Sequence, residues 1–196
     1  FLVETEDGRV LFDAGQSGTV LLHNMQVARI APTTIGAVAL SHAHYDHMGG
    51  LPALLQRTLR LQLYANADLF RERFSRRGTD VRRIGPSIGW EELLPQVDIH
   101  LSTNTQEILP GGFTTGEIVS RTEPEGRSAR HVVRDGEAWI PDPYRDDMSL
   151  VLRVDQGLVL LCGCCHAGLL NTLQHVRTTF EGGIVAVLGG MHLAHA

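Results

Sequence analysis

The sequence predicts a mixed α/β fold, in which two mixed sheets pack against each other and helices lie on the outside. The first observation is the order of segments: hairpin, helix, strand, helix, strand, helix, a β-rich middle, hairpin, helix and strand. The second is that three widely separated strands lead into histidine-containing segments. If these strand ends converge, their side chains share one rim of the fold.

The N-terminal half is predicted to hold a hairpin and then alternating helices and strands. Asp7 and Gly8 lie between two β-type runs, which favours a tight hairpin turn. Ser17 can cap the helix that follows, and Pro32 ends it. The remaining segments of this half are predicted as a strand over 37–40, helical spacing over 51–59, a strand over 61–65, a helix over 67–77 and a loop over 78–89.

The C-terminal half begins with a β-rich region and ends with a helix and a buried strand. Its polar segment 120–145 is rich in Arg, Glu, Gly and Pro, and a stretch of this length inside a domain is typically a functional or mobile loop. The other segments are predicted as strands over 97–100 and 106–109, a strand or turn over 111–119, a hairpin over 148–162, an amphipathic helix over 167–180 and a strand over 183–188.

The composition is that of one globular domain, which we assign to residues 1–196. The net charge of −5 gives no sign of a nucleic-acid-binding surface. No segment reaches the ~18–20 apolar residues that a membrane span needs. Three clustered cysteines do not make a disulfide framework, which favours a reducing cytoplasm. Because the chain starts inside a predicted strand and stops soon after another, we expect it to be incomplete at both termini.

Six arginines are concentrated in one short stretch of the chain. We interpret them as a solvated helix face, and an anion-binding patch is the alternative. The residues are Arg71, Arg73, Arg76, Arg77, Arg82 and Arg83.

The densest chemistry of the chain lies directly after the apolar run 35–40. Three imidazoles and one carboxylate occupy six positions, where a buried strand passes into a helix. These groups would repel each other or stay unpaired unless a cation collected them. Imidazole with carboxylate suits zinc, manganese or iron, so this segment predicts a metal site. The side chains are His42, His44, Asp46 and His47.

These residues resemble the metallo-β-lactamase superfamily. The segment His42-Ala43-His44-Tyr45-Asp46-His47 is similar to its HxHxDH motif, and Gly49 and Gly50 follow as is usual there. The turn at Phe12-Asp13-Ala14-Gly15 resembles the Asp-containing turn that supports that site. The resemblance implies a four-layer αβ/βα sandwich with the metal site on the rim between the sheets.

Other segments resemble one branch of that superfamily, which includes proteins similar to the dihydropterin–ribofuranosylaminobenzene-phosphate synthase of methanopterin biosynthesis. Most hydrolases of the superfamily carry an Asp, and some lactamases a Cys, where this chain has Cys164, so a role for Cys164 as a ligand or near-ligand stays open. The segments that carry the likeness are 161–168, Thr115-Gly116-Glu117-Ile118, the pair Asp146-Asp147 and 189–193.

The resemblance implies a two-metal site, with zinc as the expected ion and manganese or iron as alternatives. It assigns His42 and His44 to one ion, and Asp46 and His47 to the other. His192 would complete the second site, and His166 the first or the space between them. Asp46 would also be catalytic, because it would orient a hydroxide held by the metals. Behind the metal ligands, Asp13 would orient the imidazoles, and Asp147 is the weaker candidate for the same role.

Three functions stay open at this point. The first is a metal-dependent hydrolase that uses a metal-bound hydroxide on a phosphoester or another ester-like bond of a small molecule. The second is a pterin-phosphate synthase-like transferase, and the third is a metal-binding protein with low turnover. We expect a small-molecule substrate and neither nucleic acid nor membrane as a partner. His131, in the long polar segment, could also reach the site.

Overall fold

The strand that leads into the histidine motif lies in the middle of a five-stranded sheet. The computed structural model of the protein describes residues 1–86 and 88–192. In spatial order the strands of this first sheet are β1 (Leu2–Thr5), β2 (Gly8–Phe12), β3 (Ala37–Ala39), β4 (Leu61–Ala65) and β7 (Val97–Leu101). β1 and β2 form the predicted antiparallel hairpin, and the other strands add to it in parallel. The parallel strands therefore end on one edge of the sheet.

A second five-stranded sheet comes from the C-terminal half. In spatial order its strands are β14 (Ile184–Gly189), β13 (Gly157–Cys162), β12 (Ser149–Val154), β9 (Gly112–Thr114) and β8 (Glu107–Leu109). β12 and β13 form the second predicted hairpin, and β14 lies parallel to β13. The ends of β13 and β14 therefore bring the segments with His166 and His192 side by side.

The two sheets pack face to face and carry helices on their outer faces. The alternation within β3 shows the division: Ala37 and Ala39 pack towards the second sheet, whereas Val38 packs towards the helices. The helices are α1 (Gly18–Val27), α2 (Tyr45–Met48), α3 (Leu51–Leu55), α4 (Trp90–Leu93) and α5 (Leu169–Thr179). α5 covers the second sheet, with Val176 against Val151 and Leu160. This arrangement is the predicted four-layer αβ/βα sandwich.

A third, smaller sheet was not predicted. Its strands, in spatial order, are β11 (Ala138–Pro141), β10 (His131–Asp135), β5 (Arg73–Arg77) and β6 (Asp80–Arg83), all antiparallel. It joins the two segments that the sequence analysis interpreted as loops, 78–89 and 120–145. Each segment folds back through a tight turn, at Gly78 and Gly136, where φ is +60° and +57°.

The predicted helix over 67–77 is wrong. Residues 73–77 form β5, because β10 and β6 supply strand partners on both sides of it. The spacing of Leu69, Phe70 and Phe74 fits a helix face, but Asn66 accepts a hydrogen bond from the Asp68 amide and turns the chain before a helix can form. Tertiary pairing therefore overrides the local pattern.

Ser17 does occupy the position before α1, but its side chain makes no capping hydrogen bond. Leu193, the last residue of the 189–193 segment, lies outside the described residues. Among the helices of the described residues, none is long and apolar enough to span a membrane.

Candidate metal centre

The histidine motif begins where β3 ends, on the edge where the two large sheets meet. Ser41, His42 and Ala43 are almost completely buried there, and α2 begins at Tyr45. The end of β13 approaches the same place so closely that a Cβ on Gly163 would lie 2.1 Å from Ser41 Oγ. Only glycine permits this approach, which joins the two halves of the fold at the site.

His42, His44 and His166 form the most buried part of the cluster. Their ligand-type nitrogens all lie within 4.8 Å of one another. His42 Nε2 is 3.0 Å from His44 Nδ1, and the His166 ring centroid is 5.0 Å from those of both other rings. The structure therefore brings together one imidazole from the second sheet and two from the first.

Two nitrogens of this group identify it as a place for a cation. Nε2 of His44 and Nε2 of His166 are buried and have no hydrogen-bond partner. A buried polar atom without a partner costs roughly 1–3 kcal/mol, so such atoms are rare unless an ion or water satisfies them. Three converging imidazoles are also a common zinc-binding donor set. The residues present therefore fit a metal ion.

The protonation states of His44 and His166 suit metal binding. Burial, together with His166 and other nearby cationic groups, lowers the pKa of His44 to about 2. Burial likewise lowers the pKa of His166 to about 3, although the hydrogen bond to Gly126 acts in the opposite direction. His166 Nδ1 lies 2.9 Å from the Gly126 carbonyl oxygen and must donate to it. Nε2 of neutral His166 therefore keeps its lone pair for a metal.

Asp13 holds the second part of the cluster from behind. Its carboxylate accepts hydrogen bonds from the Ser41 amide at 2.7 Å and the Ser41 hydroxyl at 2.8 Å. Its Oδ2 also lies 2.7 Å from His47 Nδ1, so His47 presents Nε2 to Cys164 Sγ, 3.2 Å away. Burial alone would lower the pKa of His47, but the hydrogen bonds to Asp13 and Cys164 raise it to about 10. The Asp13 carboxylate therefore orients the His47 imidazole, and its role behind a bound metal stays a prediction.

Cys164 connects the parts of the cluster. Two further groups of ligand-type atoms meet the same 4.8 Å limit: His42 with His47 and Cys164, and Cys164 with His166 and His192. The His192 ring centroid is 4.5 Å from that of His166. Since the groups share members, they form one continuous cluster with more donors than a single tetrahedral ion uses.

Asp46 lies beside this cluster but in none of its three groups. Its Oδ2 is 3.8 Å from His47 Nε2, and 45% of its side-chain surface is exposed. Asp46 instead lines a cavity of about 170 Å³ that opens onto His44, His166 and His192. The roles assigned to Asp46, metal ligand and catalytic residue, stay predictions.

The pair Asp146-Asp147 supports the loops that carry the histidines. Asp146 Oδ2 accepts the amide hydrogen of Ala43, at 2.7 Å, between the first two histidines of the motif. Asp147 Oδ2 accepts the amide hydrogen of Ala167, at 2.8 Å, next to His166. Burial raises the pKa of Asp147 to about 7. Asp147 thus contacts the backbone beside a candidate ligand rather than an imidazole.

Arg73 corrects the interpretation of the arginine cluster as a solvated face. Its side chain is completely buried and forms ion pairs with Asp68 at 2.8 Å, Asp142 at 3.3 Å and Asp146 at 2.7 Å. Through Asp146 this guanidinium is connected to the Ala43 amide. Sequence reasoning missed it, because two of its three partners lie about seventy residues away along the chain.

Tyr144 and His131 are further residues of the site. The Tyr144 ring stacks on that of His166, with centroids 4.5 Å apart and planes 13° from parallel. The centroid of His131 is 5.0 Å from that of His44, which places it within the reach that its segment suggested. Tyr144 Oη lies 2.9 Å from His131 Nδ1 and accepts the Ser128 amide hydrogen. Tyr144 thus orients His131; nothing in the sequence pointed to Tyr144.

Comparison with known proteins identifies the family. The sequence model of the metallo-beta-lactamase superfamily matches residues 1–166. A 7,8-dihydropterin-6-methyl-4-(beta-D-ribofuranosyl)-aminobenzene-5'-phosphate synthase of Methanocaldococcus jannaschii is 26% identical over 219 residues, which cover 100% of this chain and 70% of the relative. An uncharacterized protein of the same organism is 29% identical, over 98% of this chain and 71% of the relative.

Solved structures agree with this assignment. Tm1679, described as a metal-dependent hydrolase of the beta-lactamase superfamily, has a TM-score of 0.80 at 28% identity, over 98% of this chain and 72% of that chain. A quorum-quenching N-acyl homoserine lactone lactonase shares the fold at 15% identity, with a TM-score of 0.57 over 97% of this chain and 77% of that chain. With the match over residues 1–166 and the sandwich described above, the chain belongs to the metallo-β-lactamase superfamily.

Proposed function

We propose that this protein is a metal-dependent hydrolase that cleaves a phosphoester or another ester-like bond of a small molecule. The observation that carries the proposal is the pair of buried, unpartnered Nε2 atoms of His44 and His166 beside a cavity. These atoms have no structural use in the described residues, but they have a chemical use as metal ligands.

The donor set supports zinc as the metal and two as the number of bound ions. His42, His44 and His166 would hold one ion, and His47, Cys164 and His192 are the donors nearest to a second. A thiol together with imidazoles favours zinc, whereas a site richer in carboxylates would favour manganese or iron. When bound, such a cation polarises a carbonyl or phosphoryl oxygen and lowers the pKa of coordinated water towards ~7.

The other residues position these donors and serve the reaction. Asp13 orients His47, and Gly126 fixes the tautomer of His166. Asp46, half exposed at the cavity, would accept the proton of the attacking nucleophile on Oδ2. The cavity of about 170 Å³ admits the reacting end of a small molecule.

A second candidate is a transferase similar to the dihydropterin synthase. The match to the Methanocaldococcus jannaschii protein, over 100% of this chain and 70% of the relative, favours it, although 26% identity allows a different substrate.

Cysteines 162, 164 and 165 are free thiols in the structure, which supports a reducing compartment such as the cytoplasm.

The first experiment measures metal content and turnover on the same protein. We expect about two equivalents of zinc by elemental analysis, as in two-metal hydrolases. We also expect hydrolysis of bis(4-nitrophenyl) phosphate that falls at least a hundredfold in His42→Ala and Asp46→Asn. His23→Ala, on α1 and outside the site, is the control and should leave both measurements unchanged.

Three outcomes decide between the candidates. Protein that binds no divalent metal would contradict the metal centre itself. Full activity in both site variants would show that the site is misassigned. Bound metal without turnover of phosphodiester, thioester and lactone substrates would favour the synthase-like function or a metal-binding protein.

A further inference from the structure

The third sheet places a row of polar side chains in front of the metal centre. His131 on β10 pairs with Ser75 on β5, and Ser75 pairs with Arg82 on β6. Residues directly opposite each other in neighbouring antiparallel strands project from the same face. The row His131, Ser75 and Arg82 therefore lies on one face of three adjacent strands.

That face lines the cavity of the metal centre. Ser75, Arg82 and His131 contribute to the same cavity of about 170 Å³ as His44 and His166. Ser75 and Arg82 also line a second cavity of about 240 Å³, together with Arg77 and Asp80. Because the two cavities share these residues, a molecule at the metal centre can extend along the sheet.

The strands are anchored to the histidine motif at two points. The Tyr45 amide, next to His44, donates to the Ile84 carbonyl oxygen at 2.9 Å, two residues after Arg82. On the neighbouring strand, Arg73 is held by Asp146, which itself accepts the Ala43 amide hydrogen. The strands that carry the row are thus held in place relative to the candidate metal ligands, so that only the side chains of the row need to be ordered when a ligand binds.

Arg82 is a charged group without an anionic partner. In the part of the chain that the structure describes, its guanidinium has no ion pair or hydrogen bond, and it lies 5.8 Å from the centroid of the Tyr45 ring. The acidic groups of the two cavities are Asp46, beside the metal centre, and Asp80, opposite Arg77 at the far end. The Arg82 end of the first cavity is therefore open to an anion.

We propose that Arg82 and Ser75, with His131 beside them, form a phosphate-binding subsite, and that the substrate is a phosphorylated small molecule whose reacting bond lies at the metal centre. The position of the reacting bond rests on the proposed function, whereas the subsite rests on the sheet. A guanidinium binds two phosphate oxygens through parallel N–H groups, and a serine hydroxyl can donate to a third. A terminal phosphate offers three such oxygens, one more than a carboxylate has.

The test is equilibrium binding of methylphosphonate, which carries a phosphate-like head group and no ester bond to hydrolyse. Calorimetry on the zinc-loaded protein should show binding that weakens at least tenfold in Arg82→Gln and severalfold in Ser75→Ala. Arg83→Gln is the matched control, since Arg83 follows Arg82 on β6 and projects from the opposite face. Its affinity should equal that of the wild type within a factor of two. Circular dichroism verifies that each variant is folded.

The outcomes separate this inference from the proposed function. Methylphosphonate binding unchanged in Arg82→Gln, or equal weakening in Arg83→Gln, would overturn the subsite. Acetate bound as tightly as methylphosphonate would overturn the assignment to phosphate. Arg82-dependent binding in a protein that hydrolyses no ester would support the subsite and overturn the hydrolase. Hydrolysis of neutral esters without Arg82-dependent binding of methylphosphonate would overturn the subsite and support the hydrolase.

Discussion

Replacement of Arg73 by methionine tests whether the buried guanidinium holds the third sheet onto the metal centre. The side chains of Arg73, Asp142 and Asp146 are at most 1% exposed, and three carboxylates lie within 3.3 Å of the guanidinium. Methionine fills much of the same volume without the charge. Arg73→Met therefore leaves buried carboxylates with no cation between them.

The expected loss follows from the burial of the network. Removing one partner of a buried ion pair costs roughly 3–5 kcal/mol. For a domain of this size, each kcal/mol lowers the unfolding midpoint by about 2–4 °C, so we expect a decrease of roughly 6–20 °C. Arg83 is the matched exposed control, because its side chain is 57% exposed and lies 4.0 Å from Glu72. Arg83→Met should change the free energy of unfolding by no more than about 0.5 kcal/mol.

The pH dependence gives this prediction a sign. Burial raises the pKa of Asp146 to about 6, and the nearby Arg73 acts in the opposite direction. Without Arg73 the folded-state pKa of Asp146 rises further. Between the unfolded and folded pKa values of Asp146, the folded Arg73→Met variant therefore keeps a proton on this carboxyl group that the unfolded chain has released. A raised folded-state pKa contributes stability at low pH that is lost as the pH rises through it. The difference from wild type should therefore be smallest near pH 4 and largest near pH 8.

Thermal unfolding followed by circular dichroism at pH 5 and pH 8 measures both effects. A matched Arg73→Met/Asp146→Asn variant should recover part of the lost stability at pH 8, because it removes one of the unpaired charges. If Arg73→Met unfolds within about 1 kcal/mol of the wild type at pH 8, the network contributes little and the reasoning from burial is refuted.

Three further predictions concern the site. Asp13→Asn should weaken zinc binding about 10–100-fold, because His47 loses its anionic partner. Competition with a chelating dye measures the zinc affinity, and an unchanged affinity would show that Asp13 only forms the turn. Removing bound metal with a chelator should lower the unfolding midpoint. The decrease should grow with the logarithm of the ratio of the original metal concentration to the dissociation constant, and an unaltered midpoint would argue against metal binding by the folded protein. Gly163→Ala should cost about 1–3 kcal/mol in chemical denaturation, since its Cβ would meet Ser41, whereas Gly183→Ala, with nothing within 4 Å, should not.

Local sequence alone determined the motif of the metal centre and the hairpins of the two large sheets. Two imidazoles, a carboxylate and a third imidazole fit on one strand-to-helix turn, so His42 to His47 are predictable from adjacent positions. The hairpins at Asp7 and Asp155 are similarly local, because a turn and its two strands are continuous in sequence. The convergence of His166 and His192 on the motif was inferred from strand ends, and the structure places them in one cluster.

Only the tertiary structure decided what surrounds that motif. The fate of the arginines depends on residues far along the chain: Arg73 is buried because Asp142 and Asp146 reach it, and Arg82 lines the cavity because β5 pairs with β10. Such partners leave no periodic pattern in the segment itself, so the same residues resembled a solvated helix. The half-exposed carboxylate of Asp46 and the position of Cys164 near both His47 and His166 likewise result from packing between sheets. Sequence thus determines which chemical groups are present on each loop, and the packing of distant strands determines which of them meet.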